Sequence, residues 1–500
     1  MTAFNFAQWP PHLSDKDRET LQFRATSYAL SHGLLYLPTG AQPPIPTSAI
    51  HAPISLFPTP FPRKLFEQAQ NLQSIYNVLY SRIAMDIQFL DRVMGAIGEV
   101  DEFTGHLWSG WRQLRQEGLT QPLHLGLFRS DYLLHQRGSD ITLKQVEFNT
   151  ISSSFGTLSE RASGMHRSLE SSTHFFHASP HLTASNFPPN NTTSGLVAGL
   201  VAAHNAYNVE GSKILFVVQR GERNLFDQIW LEYELLERYS IPVIRRTFDE
   251  LSRQAKMSAD TAVLTLELPD EAPVEISTVY YRAGYTPDDY PTSTHYQTRF
   301  TLERSRAIKC PTIPLQLAGG KKVQQVLTEP GVLEHFLCDK EKYGTKGVFP
   351  SQALAEIRES WMEMWALDFE GDTGVKIARE KALGVVLKPQ REGGGNNVYK
   401  EAIPAFLDSL PAKERSAWIA MELISPPAGL KNYLIRAGTG ATVETEVVSE
   451  LGIFGWTLFG PGQVVSGKEV GWLVRTKSKE SNEGGVATGF SVLDSLLLVD

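Results

Sequence analysis

A single run of about thirty-five residues limits the fold more than any other. Residues 213–219 (KILFVVQ) read as a strand, 220–224 (RGERN) as a loop, 225–240 (LFDQIWLEYELLERYS) as a helix and 241–248 (IPVIRRTF) as a second strand. Strand, helix and parallel strand in this order predict a doubly wound unit. Residues 277–285 (STVYYRAGY) add a further strand. Residues 123–134 (LHLGLFRSDYLL) and 143–152 (LKQVEFNTIS) predict strands before this unit. Residues 317–327 (LAGGKKVQQVL) predict a loop entering a helix. Residues 384–390 (GVVLKPQ), 416–424 (SAWIAMELI) and 445–459 (TEVVSELGIFGWTLF) predict strands of a further sheet. Residues 177–195 predict a loop. Near the N-terminus, residues 15–33 predict a short helix. Apolar residues at helical spacing from Leu65 to Leu90 predict a long helix or a broken pair. Helix and strand alternate, so the class is α/β with α+β admixture, in several lobes.

Composition narrows the partners. Hydrophobic residues make up 42% of the 500 and charged residues 20%, the balance of a globular chain with a large core. The net charge of -8 argues against general nucleic-acid binding, so an anion site must be a local cluster of Lys and Arg. Two cysteines, Cys310 and Cys338, exclude a disulfide scaffold and a multi-cysteine zinc site and suit a reducing compartment. The first residues form no signal peptide, and no stretch has the length of a membrane span. The cytoplasm is the expected location.

The stretch KPQREGGGNN, from Lys388 to Asn397, asks for a ligand. Consecutive glycines let backbone N–H groups approach another molecule closely. It is neither a Walker loop, lacking G-K-[ST], nor the dinucleotide fingerprint, because its glycines are contiguous. A glycine run is as compatible with a structural turn as with a ligand loop. Lys388 at the strand end and Glu392 inside the loop favour a phosphate with its metal. Glu147 and Asn149 stand two apart in the EFN strand, so they share one face and offer hard oxygens of the kind Mg²⁺ takes; a solvated strand face is the commoner explanation of such a pair. Ser152, Ser153 and Ser154 follow as hydrogen-bond donors or as a plain turn. Arg129, Arg282 and Arg475 lie at strand ends or edges and suit carboxylate recognition, against the common alternative of surface ion pairs. The chain has no H-E-x-x-H and no G-x-S-x-G, which sets aside zincin and α/β-hydrolase chemistry.

KPQREGGGNN, with EFNTIS, FRSDY, ERNLFDQ, AGGKKVQQ, SELGIFG and RTK…GGVATG in the same order, closely resembles the eukaryotic-type glutathione synthetases, which are similar to other ATP-grasp ligases. The resemblance runs from about residue 120 to 490. It implies an ATP-grasp-type fold with a helical N-terminal part (1–115), a first part of the core (116–205), a doubly wound substrate-binding domain (206–315), and a core and lid carrying the glycine loop (316–500).

The resemblance also implies roles. Lys321, Lys388, Pro389, Gln390, Arg391, Gly393, Gly394, Gly395, Asn396, Asn397, Tyr399, Met421, Glu422, Leu423, Ile424, Glu450, Lys477 and Glu483 would line ATP. Glu147, Asn149 and Glu392 would hold Mg²⁺. Ser152, Ser153, Ser154, Glu222, Asn224, Gln228, Arg282, Ala283, Gly284, Tyr285, Val486 and Ala487 would meet γ-glutamylcysteine or glycine. Arg129 and Arg475 would do so too, as the catalytic pair. The chain departs from the family's pattern at Ala283, where relatives carry an acidic residue, at Leu423, at Glu483 and at Thr488, which bears on the choice of amine. The implied activity is ATP-dependent ligation through an acyl phosphate, in a homodimer. Ligation to another amine such as β-alanine and a non-catalytic ATP-binding regulator are the competing readings.

Overall fold

In the computed structural model, residues 4–38, 45–269, 271–368, 373–461, 463–481, 484–486 and 489–500 are described. Among them a thirteen-stranded mixed sheet forms the spine. One wing is parallel: Val243–Arg246, Lys213–Val217, Val274–Tyr281 and Ile308–Cys310 lie side by side, with helices Leu225–Tyr239 and Ser293–Arg304 in the crossovers. This is the doubly wound arrangement that the strand–helix–strand run predicts. The other wing is antiparallel and long. Strand Asp140–Asn149 pairs with His124–Arg137, which pairs with Thr442–Gly460, which pairs in turn with Gln463–Ser478. Short strands Ser491–Asp494, Ile54–Ser55 and Lys431–Ile435 complete it.

Two sequence expectations change, and one open alternative is decided in favour of the broken pair. Residues 445–459 belong to this large sheet, inside Thr442–Gly460, and not to the sheet of residues 384–390 and 416–424. A hairpin partner immediately after them, Gln463–Ser478, claims their backbone hydrogen bonds. The apolar pattern from Arg63 resolves into two helices, Arg63–Met85 and Ile87–Gly98, because the Asp86 carboxylate caps the second by accepting from the Phe89 N–H at 3.0 Å. The loop at 177–195 is shorter than expected, since helix Thr192–Tyr207 starts within it.

The smaller sheet is antiparallel and ordered Met364–Ala366, Trp418–Glu422, Val385–Pro389, Val398–Tyr399. Alternation divides its side chains. Val385, Leu387 and Ala420 close a private core with Val375, Ala378, Ile403 and Leu407. Val386, Ile419 and Met421 face the main core. Lys388 shares the parity of Val386, so it too points toward the large sheet. Helix Arg63–Met85 covers one face of that sheet, with Tyr80 stacked on Phe148 at 3.9 Å. No described helix is long and apolar enough to cross a membrane.

Candidate active site

Register places the charges. Residues directly opposite in neighbouring strands share a face of the sheet. Arg129 lies opposite Asn149, Asp131 opposite both Glu147 and Gly452, and Glu450 opposite Arg475. Arg129 and Asp131, like Glu450 and Gly452, are two apart in their strands. All these side chains therefore stand on one face. Helix Thr192–Tyr207 covers that face farther along, where Gly199 meets Leu127 and Trp456; the charged stretch begins beyond it.

The pairs are specific. Arg129 binds Asp131 with two parallel bonds, 2.6 Å from Nε and 2.8 Å from Nη2, and reaches the Ser154 carbonyl at 3.3 Å. Arg475 donates to Glu450, at 2.9 Å from Nε, and to Asp131 Oδ2 at 3.1 Å. The Lys321 ammonium sits between two carboxylates, 2.9 Å from Glu147 Oε2 and 3.0 Å from Glu392 Oε1. Lys388 reaches across from the small sheet to the Val146 carbonyl at 2.9 Å. Glu147, Lys321, Lys388 and Glu392 thus meet, although the chain separates them by up to 245 residues.

Burial and charge set their protonation. Burial pushes the Lys388 ammonium down to about 8, against the pull of Glu147. Burial alone would raise Glu147, but Lys321, Lys388 and Arg475 hold it below the ordinary carboxylate range. Glu392 is raised by burial and by the Glu147 charge, with Lys321 opposing. Glu450 is raised by burial and by Asp131, with Arg475 opposing. Like charges driven apart around shared cations are the signature of a working site.

The oxygens of Glu147 and Glu392 reach a single cation, and Asn149 turns its Nδ2 to the Arg129 carbonyl (3.2 Å) and Asp131 (3.0 Å), which leaves Oδ1 as its outward end. Two carboxylates and an amide oxygen are a hard, incomplete donor set. That suits Mg²⁺, which keeps waters and phosphate oxygens as its other ligands. Among the described residues no group of three or more His, Cys, Asp or Glu forms a metal cage of its own.

The glycine loop lies above this face. Gly393, Gly394 and Gly395 have φ of 92°, 75° and 77°, values that side-chain-bearing residues rarely adopt. A Cβ on Gly393 would lie 3.6 Å from the Tyr285 ring, and one on Gly394 would lie 3.3 Å from the Gly484 carbonyl. The loop therefore meets both the turn of Tyr285 and Thr286 and the second glycine-rich segment. Its side chains stay local: Asn396 donates to the Gly394 carbonyl at 2.8 Å and Asn397 to the Tyr399 hydroxyl at 3.0 Å. Tyr399 and Met421 belong to the same small sheet, and Lys477 to the hairpin of Arg475.

Other expected residues have different neighbours. Arg391 is held by Asp101, the N-cap of helix Glu102–Glu117. Gln390 is fixed by the Lys322 N–H (3.0 Å) and the Ala417 carbonyl (3.1 Å), just past strand end Pro389. Glu422 pairs with Arg137 at 3.0 Å, and the Leu423 N–H donates to Gly384 at 2.8 Å; Ile424 follows, half-buried.

On the substrate side, Arg282 donates to Ser154 Oγ at 2.7 Å and to the Ser153 carbonyl at 3.2 Å. The three serine hydroxyls point inward, to the carbonyls of Tyr281, Leu127 and Ser152. Their side chains thus fix a turn in which Ser152 and Phe155 have positive φ. Glu222 binds the Asn224 N–H (2.9 Å) and Gln228 (3.1 Å). Ala283 and Gly284 are buried, and Tyr285 donates to Gln219 at 3.4 Å. Val486 is buried at the second glycine segment. Glu483, Ala487 and Thr488 lie outside the described residues.

Two carboxylates escaped the sequence reading. Asp131 is fully buried between the two arginines. Asp227 accepts from the Phe155, Thr157 and Leu158 N–H groups at 2.8–3.3 Å and lies 3.7 Å from Arg282. The i, i+2 spacing of Arg129 and Asp131 in FRSDY was the available signal for the first.

A family model described as "Eukaryotic glutathione synthase, ATP binding domain" matches residues 15–498. The glutathione synthetase large chain of Schizosaccharomyces pombe is 38% identical over 512 residues, covering 96% of this chain and 97% of that one. The Homo sapiens glutathione synthetase is 38% identical over 493 residues, covering 97% and 98%. A solved glutathione synthetase-like effector from Globodera pallida shares the fold, with a TM-score of 0.75 at 24% identity and 98% coverage of both chains. The class is an ATP-binding one on a mixed α/β fold. Within that class, the chain belongs to the eukaryotic glutathione synthase family.

Proposed function

We propose that the protein joins γ-L-glutamyl-L-cysteine to glycine with ATP, giving glutathione, ADP and phosphate. The observation that carries this reading is the convergence of Arg129, Arg475, Lys321 and Lys388 with Glu147 and Glu392 beneath Gly393, Gly394 and Gly395. An amide bond does not form from carboxylate and amine in water, so the carboxylate must first be activated. The cysteinyl carboxylate attacks the γ-phosphorus and ADP leaves, which gives an acyl phosphate. Glycine's neutral amine then adds to the acyl carbon, phosphate leaves, and the amine loses its proton.

This chain's residues position the reactants and balance their charge. Lys321 and Lys388 face the phosphates, and Arg129 and Arg475 face the oxygens on which charge gathers. Arg282, with Ser152, Ser153 and Ser154, shapes the dipeptide seat beside Glu222, Asn224, Gln228 and Tyr285. Glu147, Asn149 and Glu392 would hold Mg²⁺, which would supply positive charge against the phosphates. The glycine loop covers the phosphates and keeps water from the acyl phosphate. The four segments divide as a helical N-terminal part, two portions of the core with the lid, and the doubly wound substrate domain. The protein works as a cytoplasmic homodimer.

A coupled ADP-release assay with γ-glutamylcysteine against a panel of amines tests the reading. ADP release requires both dipeptide and glycine. β-Alanine, one methylene longer, is about 10–200-fold poorer in kcat/KM. If β-alanine matches or exceeds glycine, the enzyme is a ligase for another amine. If ATP binds without dipeptide-dependent turnover, it is a regulator.

A further inference from the structure

Asp131 presents a puzzle in a site built for anions. It is a carboxylate with no exposed surface, placed where triphosphate and carboxylate charges are to be received. Its two oxygens take four donors. Oδ1 takes Arg129 Nε at 2.6 Å; Oδ2 takes Arg129 Nη2 at 2.8 Å, Asn149 Nδ2 at 3.0 Å and Arg475 Nη2 at 3.1 Å. One oxygen atom thus touches both arginines and Asn149, which come from three different strands.

Two guanidinium groups on one oxygen repel each other unless a negative charge lies between them. Glu450 bonds Arg475 through Nε and through the same Nη2 that meets Asp131, whereas Asp131 bonds both arginines. The sheet also makes room for Asp131. Its cross-strand neighbour is Gly452, where a Cβ would come within 2.8 Å of Arg129 Cδ and 2.9 Å of Asp131 Oδ1. Gly452 has no left-handed φ, so clearance for this pair, not backbone strain, is what its missing side chain supplies.

We propose that Asp131 is the positioning residue of the reaction centre: it clamps Arg129 and Arg475 side by side, with their remaining N–H groups aimed at the reacting oxygens. This rests on the reading above that the two arginines meet substrate. Asp131 touches no reactant and acts through them. Removing its charge leaves two adjacent cations free to separate. Displacements of about 1 Å in such groups cost on the order of a hundredfold in rate.

The test uses the full chain and four variants: Asp131→Asn, Arg129→Lys, Arg475→Lys and the double variant of Asp131→Asn with Arg475→Lys. Asp131→Asn keeps shape and one acceptor. The expected result is a melting temperature close to wild type, kcat lowered about a hundredfold, and dipeptide KM and ATP affinity within about threefold of wild type. The double variant should be little worse than either single one, because both remove one geometry. Wild-type kcat in folded Asp131→Asn, a change confined to KM, or additive losses would each overturn the proposal. If Arg129→Lys and Arg475→Lys both keep wild-type kinetics, the arginine reading itself falls and this inference with it. Should Asp131→Asn fail to fold, Gly452→Ala decides. Its methyl pushes the pair aside with every charge retained, so lower kcat at unchanged ATP affinity supports the clamp and unchanged kcat refutes it.

Discussion

The strand-built charged face and the glycine loop above it solve opposite problems. On the face, each charge is fixed by register and by a partner: Asp131 and Arg129 are buried, and Arg475 is held from two sides. In the loop, Gly393, Gly394 and Gly395 are exposed, all with positive φ; Asn396 bonds back to the Gly394 carbonyl and Asn397 to Tyr399 two residues on. Preorganised charge needs rigidity, because reorganising it during the reaction would cost what it stabilises. Admission and release need a backbone that moves. Under the proposed function, the comparison assigns chemistry to the sheet and gating to the loop.

Substitutions can break or sharpen that division. The largest effect belongs to Glu392, which sits in the loop's stem but bonds to the face through Lys321. Glu392→Gln keeps its shape and loses its charge, so kcat/KM should fall by about a thousandfold while the fold persists. Near-normal turnover in the folded variant would remove it from the metal site. Next comes the face itself. Arg475→Lys cannot span Glu450 and Asp131 with one planar fork, and kcat should drop about a hundredfold; steady-state kinetics near wild type would show the fork to be dispensable.

The loop should be more tolerant. Gly394→Val strains a φ of 75° and crowds the Gly484 carbonyl. An order-of-magnitude loss in kcat is expected, along with loss of the protection from proteolysis that ATP and Mg²⁺ give the wild-type loop. Equal cleavage of wild type with and without nucleotide would contradict a closing lid.

The smallest effect concerns acid and should leave turnover at pH 7 untouched. Burial pushes His166 down to about 4, with Nδ1 at 2.7 Å from Ser495 Oγ and Nε2 at 3.1 Å from the Ser55 carbonyl. A carbonyl needs a donor, so Nε2 carries the proton and the ring is neutral. The unfolded imidazole protonates near 6.5, the folded one near 4. Between these values the unfolded chain binds more protons, so stability is full above pH 6.5 and falls by about 3 kcal/mol as pH drops to 4. Denaturant titrations of wild type and His166→Gln check this. Equal pH slopes would exclude His166 as the source.

Much of this architecture was legible in the residues. The doubly wound wing announced itself because each of its elements has its own period. Glu147 and Asn149 could be paired because two residues apart in a strand means one face. KPQREGGGNN was long enough to identify a family. Side-chain direction at loop and cap positions was not legible. Arg391 belongs to that motif, yet Asp101 claims it, and no local pattern links residues 290 apart. The serine run read as donors to substrate or as a plain turn, and its hydroxyls bond the carbonyls of Tyr281, Leu127 and Ser152, which no local pattern announces. The sheet assignment of Thr442–Gly460 failed for a related reason: alternation identifies a strand but not its neighbour.

The order of strands in the large sheet also bears on how the chain is made. Ile54–Ser55 is hydrogen-bonded between Ser491–Asp494 and Lys431–Ile435, and Thr59–Pro62 pairs with Leu496–Val499. An early segment must therefore wait for between 379 and 439 further residues of synthesis before these partners exist. At about 5–20 residues per second that is tens of seconds on the ribosome. During that interval Leu56, Phe57 and Phe61, all buried in the finished protein, lack the cover that the C-terminal strands give their own segment. The closure of the sheet is therefore among the last events in making the chain, because the strands that complete it are among the last to be synthesised.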